Sequence, residues 1–231
     1  MNEQEIRRLQ RVVDGYLNGR EHVSVLEAGC GSVTHLDLHG KAKVVGLDVS
    51  ERQLARNTQL DERILGDVET YPLPANRFDL VVCWNVLEHV PHPDLAVANL
   101  ASTLCDGGLL ILAVPNAASI KGVVTKFTPH RFHLWVHRVL LGRRDAGTEG
   151  RGPFPTFMRR SMSPSALVRE ASARDLRVEY LRLYEGDQQR RIRRRLWLVG
   201  PIWWLLRTAV DILSVGTISS ELTDCFVVFR K

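Results

Sequence analysis

Cysteine is scarce in this chain of 231 residues, and the few present do not pair. Cys30, Cys83, Cys105 and Cys225 lie far apart with no Cys-x-x-Cys spacing. That excludes a zinc ribbon and a disulfide framework and fits a reducing compartment. No internal repeat is visible. Compositional bias is lacking too: hydrophobic residues make up 45% and charged residues 25%, which excludes a disordered or fibrous chain. The opening MNEQEIRRLQ is polar and charged and has no apolar stretch of the signal-peptide kind, so a cytoplasmic protein is expected. The length suits one domain with a proper core and falls short of two full catalytic domains, so residues 1–231 read as a single unit.

An uninterrupted membrane span is also missing. LWLVGPIWWLLRTAVDILSVGTI approaches the necessary length, but Pro201, Arg207 and Asp211 interrupt it, and a central charge pair is costly in lipid. The stretch follows Arg190, Arg191, Arg193, Arg194 and Arg195, and we treat residues 188–220 as a basic, Trp-rich helical insert. Two readings stay open. The Arg cluster and Trp203-Trp204 suit peripheral contact with an anionic membrane through Arg190–Trp204. Alternatively, the helix packs on the sheet and buries its tryptophans in the core or in a substrate pocket. Charge is segregated along the chain. Residues 1–120 hold 10 Lys and Arg against 16 Asp and Glu, whereas residues 121–231 hold 21 against 10. A basic second half points to an anionic partner: a lipid phosphate, a nucleic acid or an acidic small molecule. Arginine supplies 26 of the 31 basic residues, so an Arg-rich codon bias accounts equally well for the amount of positive charge, but not for its segregation.

What is there is rhythm. Residues 3–17 carry Ile6, Leu9, Val13, Tyr16 and Leu17 at helical spacing. Short apolar runs then alternate with helical segments: HVSVLEAGCG, KAKVVGLDVS, RILGDVE, RFDLVVCWNVLEHV and GLLILAVPN read as strands one to five. Ser50 is a plausible cap for the helix SERQLARNT, and Asp106-Gly107-Gly108 should stop the helix DLAVANLASTL. Strands apolar throughout and alternating with helices predict a parallel sheet covered on both faces. The rhythm breaks at residues 117–162, which read as an irregular helical lid on the acceptor side. It returns at Ser163-Pro164-Ser165, a helix start with Pro at the first position. LRVEYLRLYEG and CFVVFRK are strands six and seven.

The chemistry concentrates at VLEAGCGS. Gly29 and Gly31 after the first strand permit a tight turn and close approach to a ligand. The second strand ends in Asp48, placed to hydrogen-bond a ribose diol. A full Gly-x-Gly-x-x-Gly fingerprint needs a glycine at 34, where Thr34 stands, and Glu27 would repel a pyrophosphate, so a nicotinamide dinucleotide is disfavoured. A carboxylate there suits a cationic or amino-acid-bearing ligand. Glu27, the glycines, Asp48, Asp67 and Asn85 fall at the ends of successive strands, the edge where open parallel sheets bind ligands.

LEAGCG (26–31), GLDVS (46–50), LGDVETYPLPANRFDLVVCWNVLEHVPHP (65–93) and CDGGLLILAVPN (105–116) resemble class I S-adenosylmethionine-dependent methyltransferases. The resemblance is specific over residues 1–116 and general to the end. It implies an α/β fold: a seven-stranded Rossmann-like doubly wound sheet, mostly parallel with an antiparallel last strand. It also implies S-adenosylmethionine as cofactor, with Glu27 meeting the methionine amino group and Ala28, Gly29, Cys30 and Gly31 forming the loop beneath the cofactor. Asp48 and Val49 would hold the ribose, Asp67 and Val68 the adenine, and Asn85 and Val86 the methionine end. Val33 departs from the pattern, since many relatives carry a third glycine there.

His89, four residues after Asn85, is the candidate general base, because imidazole titrates near neutrality. It reads equally as a residue that caps a turn or shapes the pocket. Glu88-His89 also resembles the Glu-x-x-Glu-His of metal-dependent methyltransferases, but Asn85 replaces the first Glu, and no metal site is expected. His130, His133 and Trp135 are candidates to line an acceptor site, or else form a half-exposed helix. The leading expectation is O-methylation of a small-molecule, lipid-linked or glycan acceptor. The alternatives are an RNA or other macromolecular methyltransferase and a non-catalytic S-adenosylmethionine-binding protein. Against RNA, no Asn/Asp-Pro-Pro-Tyr-like motif follows strand four.

Overall fold

A computed structural model describes residues 3–148 and 152–231. Residues 149–151, part of the expected 117–162 lid, lie outside the described residues. Strands β1 (Val23–Ala28), β2 (Ala42–Asp48), β3 (Glu62–Leu65), β4 (Phe78–Trp84), β5 (Leu104–Pro115), β6 (Arg177–Tyr184) and β7 (Asp224–Arg230) form one sheet in the order β3-β2-β1-β4-β5-β7-β6. The first five are mutually parallel; β7 runs antiparallel to both β5 and β6. The fold class implied by the resemblance is therefore the one observed.

Period-two geometry sends alternate side chains of each apolar strand to opposite faces. Leu26, Ala28, Val81, Cys83, Leu110 and Leu112 pack with α3 (Pro93–Ser102) and α6 (Pro164–Ser172). Val25, Leu80, Val82, Leu109 and Ile111 pack with α1 (Glu3–Leu17) and α2 (Glu51–Arg56). The anticipated cap at Ser50 forms, and the helix start at Ser163 is capped in the same way. The Ser50 hydroxyl accepts the Gln53 N–H and the Ser163 hydroxyl accepts the Ala166 N–H, each at 3.3 Å, satisfying N–H groups that a helix leaves unpaired.

Two strand boundaries and the character of one strand differ from expectation. Strand β3 ends at Leu65; Gly66 N–H still bonds Asp48 O, and the chain then turns over Val68–Thr70, where the Asp67 carboxylate accepts the Glu69 N–H. Strand β5 begins at Leu104, so Asp106-Gly107-Gly108 do not stop a helix but form a bulge inside a strand. Helix α3 has already ended at Ser102. The bulge is held by the far end of β7: Gly107 N–H bonds Lys231 O and Lys231 N–H bonds Gly108 O. Strand β6 is not apolar throughout. It is the sheet edge, and its outward Arg182 pairs with the buried Glu5 of α1 at 3.0 Å, a charged guard on an open edge.

Between β5 and α6 the chain forms α4 (Ile120–Phe127) and α5 (His130–Trp135), with a π-helical turn over Val136–Leu140. Between β6 and β7 stand α7 (Asp187–Arg195) and α8 (Gly200–Leu213). The alternative in which α8 buries its tryptophans in the core does not hold: no residue of α8 is buried, and Trp203 is half-buried. No single helix among the described residues is long and apolar enough to cross a membrane.

Phe226 of β7 is fully buried, with its ring centroid 5.1 Å from Trp84 and 4.8 Å from Tyr184. Phe226→Ala should lower the stability of the fold by about 3–5 kcal/mol, through lost burial and the cavity left behind. The check is a shift of the urea midpoint at unchanged slope.

Candidate functional site

The strand order reverses between β1 and β4, so their C-terminal ends open a crevice at the edge where such sheets take ligands. The glycine loop turns at Gly29 and Gly31, both at positive φ (66° and 55°). Gly29 N–H bonds Leu47 O at 2.6 Å, and a Cβ at Gly29 would overlap the Val86 side chain. Only glycine lets the loop lie this close to the turn after β4. The side chains of Ala28 and Cys30 leave the loop toward opposite core faces, and burial pushes the Cys30 thiol up to about 12. The backbone of the loop is thus what lines the edge.

Glu27, at the end of β1, is buried, and its Oε1 has no hydrogen-bond partner. Its Oε2 accepts from the Thr34 hydroxyl at 3.2 Å, so the residue in place of the third glycine serves this carboxyl. Burial pushes Glu27 up to about 7, with the Thr34 bond opposing. Asp48 accepts the Gly31 N–H on one oxygen and the Ser50 N–H on the other, both at 2.8 Å. Each oxygen keeps a second lone pair. Beside it Val49 is 70% exposed, an apolar shelf at the open edge.

Asp67 lies two residues beyond β3, with its carbonyl accepting the Tyr71 N–H. The Val68 side chain is buried in the core and its carbonyl accepts the Asn99 side-chain amide of α3 at 2.9 Å, so its N–H remains for a ligand. Asn85 follows β4 at φ 53°, exposed, with its N–H on Ala113 O at 2.8 Å.

The next turn, a 3-10 segment over Leu87–His89, sets Glu88 and His89 side by side. The His89 Nδ1 is 2.7 Å from the Pro155 carbonyl. A carbonyl only accepts, so Nδ1 carries the proton and Nε2 a free lone pair in the neutral ring. Burial lowers the His89 pKa, with the Pro155 bond opposing. Glu88 was weighed in the sequence only as part of a metal motif. It is buried, its Oε2 lacks a partner, and burial pushes it up to about 7. Its Oε1 is 4.0 Å from His89 Nε2. The hydrophobic run around it, VLEHV, was the only sequence hint of that burial. The Phe157 N–H bonds Glu88 O at 2.8 Å, so residues 155–157 cross this corner.

His130, His133 and Trp135 share α5. His133 Nε2 lies 2.8 Å from the Thr128 hydroxyl, His130 Nδ1 is buried without a partner, and Trp135 stacks on Phe132 with half its surface exposed. Among the described residues no group of three or more His, Cys, Asp or Glu is placed to hold a metal ion.

The comparisons bear on the family and the fold. A family profile described as a methyltransferase domain matches residues 1–181. The ubiquinone biosynthesis O-methyltransferase of Coxiella burnetii is 34% identical over 102 residues, 40% of this chain and 43% of that protein. The Bordetella avium protein of the same name is 28% identical over 163 residues, 63% of this chain and 66% of its own length. The chain thus matches less than half the length of the first of these relatives. A crystal structure of a putative methyltransferase from Bacillus halodurans superposes with a TM-score of 0.58 at 16% identity, covering 96% of this chain and 98% of that one, which speaks to the fold alone.

The edge fits S-adenosylmethionine. A buried, unpartnered Glu27 oxygen suits an ammonium, and the remaining Asp48 lone pairs suit a diol. The exposed Val49 suits an apolar ring face. With the profile covering most of its length, the chain belongs to the S-adenosylmethionine-dependent methyltransferase family.

Proposed function

We propose that this chain transfers a methyl group from S-adenosylmethionine to an oxygen of a small-molecule, lipid-linked or glycan acceptor. The observation that carries the reading is the His89–Pro155 bond, which fixes the tautomer that leaves a lone pair on Nε2 of the neutral imidazole, four residues after Asn85. The O-methyltransferase names of the relatives support the oxygen. Residues 1–231 act as one methyltransferase domain in this reading.

Glu27 holds the methionine ammonium, Asp48 and Val49 the ribose, Asp67 and Val68 the adenine, and Asn85 and Val86 the methionine end. Ala28, Gly29, Cys30 and Gly31 supply the loop backbone under the ligand. Bound there, the sulfonium supplies an electrophilic methyl group and a good leaving group. The protein's task is then alignment and removal of one proton. His89 Nε2 takes the proton of the acceptor hydroxyl as the new C–O bond forms, and Glu88 stabilises the resulting imidazolium. The segment 117–162 acts as a lid: residues 155–157 close the corner, and His130, His133 and Trp135 line the acceptor side.

Three outcomes follow. Asp48→Ala should weaken S-adenosylmethionine binding at least about tenfold, since a buried charge-assisted pair of bonds is lost; unchanged affinity by calorimetry would sink the ribose assignment. His89→Ala should lower kcat by about a hundredfold or more while cofactor affinity moves little. Parallel loss of both would make His89 a pocket residue.

The third concerns pH. Free Glu27 titrates near 7, above its ordinary value, and an ammonium binds its carboxylate form. Binding therefore releases a proton on the acid side, and affinity should rise by roughly tenfold between about pH 5.5 and pH 7. Glu27→Gln should weaken binding and flatten that rise. A wild-type profile already flat over this range would overturn the pairing.

The acceptor class is read by incubating the protein with methyl-labelled S-adenosylmethionine and cell extract. Label in the organic or small-molecule fraction is expected. Label in RNA or protein would replace this reading with macromolecular methylation, and cofactor binding without label anywhere would favour a non-catalytic binder.

A further inference from the structure

We propose that α7 and α8 form a docking surface for an anionic lipid bilayer. The argument begins with which side of α8 faces the protein. Within α8 the half-buried positions are Trp203, Arg207, Thr208 and Val210; Trp203, Arg207 and Val210, four and three residues apart, make one stripe that the C-cap Ser214 continues, with Thr208 at its flank. The stripe is anchored by polar bonds: Trp203 Nε1–H and the Arg207 guanidinium both donate to Glu221 Oε1, at 3.2 and 3.0 Å. The outward side carries Trp204, Leu205, Ile212 and Leu213, with Leu213 85% exposed; Asp211 lies at the flank, one turn from Arg207. A helix on a water-facing surface shows the opposite pattern, apolar stripe inward and polar face outward. An outward apolar face of this extent marks a binding surface.

The arginines of α7 divide into two sets. Arg193 donates to Glu185 at 2.9 Å, lies 4.8 Å over the Trp203 ring and also reaches Leu198 O; Arg190 lies 3.5 Å from Glu185. These hold the helix pair together. Arg191, Arg194 and Arg195 are exposed, and their guanidinium groups have no hydrogen-bond or ion-pair partner among the described residues. Beside them Trp197 is 79% exposed. Three free cations next to an outward apolar face match the two layers of a bilayer surface, anionic headgroups above acyl chain. Nucleic acid would engage the arginines and tryptophans but leave Leu205, Ile212 and Leu213 in water.

The pair lies on a membrane and does not cross it. The helices meet at 119°, and α8 has 14 residues, about 21 Å of helix against a hydrocarbon core of about 30 Å. The surface adjoins the acceptor side. Gln188 of α7 lies 2.7 Å from His137 Nε2, and Ile120 N–H at the start of α4 bonds Ser219 O. Phe127, at the end of α4, is 77% exposed. A hydrophobic acceptor dissolved in the bilayer would therefore meet the lid first. The docking surface stands on its own observations, whether or not O-methyl transfer is correct.

The test is flotation of the full chain with vesicles of phosphatidylcholine alone and of phosphatidylcholine with phosphatidylglycerol. Binding to the anionic vesicles, weaker on neutral ones and reduced by salt, is expected. The triple variant R191Q/R194Q/R195Q should lose about tenfold or more in vesicle affinity, and L205S/L213S should also lose binding. S-adenosylmethionine affinity serves as the folding control and should be unchanged in both. No flotation of the folded wild-type chain, or flotation insensitive to both variants, would overturn the proposal. So would salt-sensitive binding to single-stranded RNA without vesicle binding. A wild-type dimer that L205S/L213S converts to a monomer, with vesicle binding absent, would assign the face to a second copy instead.

Discussion

The ligand edge depends on how closely two strand ends can approach. The loop after β1 lies directly against the turn after β4, with Gly29 facing Val86 and its N–H on Leu47 O. A side chain at position 29 would have to displace Val86, and with it the corner that carries Asn85, Glu88 and His89. The same contact fixes where the loop backbone runs, and hence where Gly31 N–H meets the Asp48 carboxylate. One steric condition at a single residue thus sets the geometry of the candidate cofactor side and of the candidate catalytic corner together.

That closeness has an electrostatic cost. Glu27 and Glu88 are each buried near the crevice with one oxygen lacking a partner, and both are pushed up to about 7 by desolvation. Without a ligand the protein keeps two carboxyls near their titration point, an arrangement that an ordinary core would avoid. Perturbed carboxyls gathered at one crevice are characteristic of functional sites. In the proposed reaction a cation entering with the ligand would relieve Glu27, and a proton arriving at His89 would relieve Glu88.

The second half of the chain distributes its positive charge by the same logic of pairing. Arg182 is used against Glu5, Arg193 against Glu185, Arg207 against Glu221 and Arg230 against Glu179. These pairs fasten the edge strand and the helix pair to the body. What they leave is a small set of exposed arginines beside an outward apolar helix, so the net positive charge of this half says less about partners than the location of the unpaired part.

Much of the fold was written into the residues themselves. Continuous apolar runs can only be strands covered on both sides, and Ser50 and Ser163 start helices because a hydroxyl there satisfies local N–H groups; none of this needs distant contacts. Glu27, Gly29, Gly31 and Asp48 could be singled out as candidates for the same reason, since a glycine turn and an acid at a strand end are local chemistry. The tertiary structure decided what rests on residues far apart in sequence. The bulge at Cys105–Gly108 extends β5 because the end of β7 supplies its hydrogen bonds. The tautomer of His89 is set by Pro155, 66 residues away. The titration of Glu27 and Glu88 follows from burial, which no spacing reveals. The outward face of α8 is chosen by Glu221, a residue beyond the helix, because one ion pair and one indole bond turn its polar stripe inward and leave the apolar side exposed.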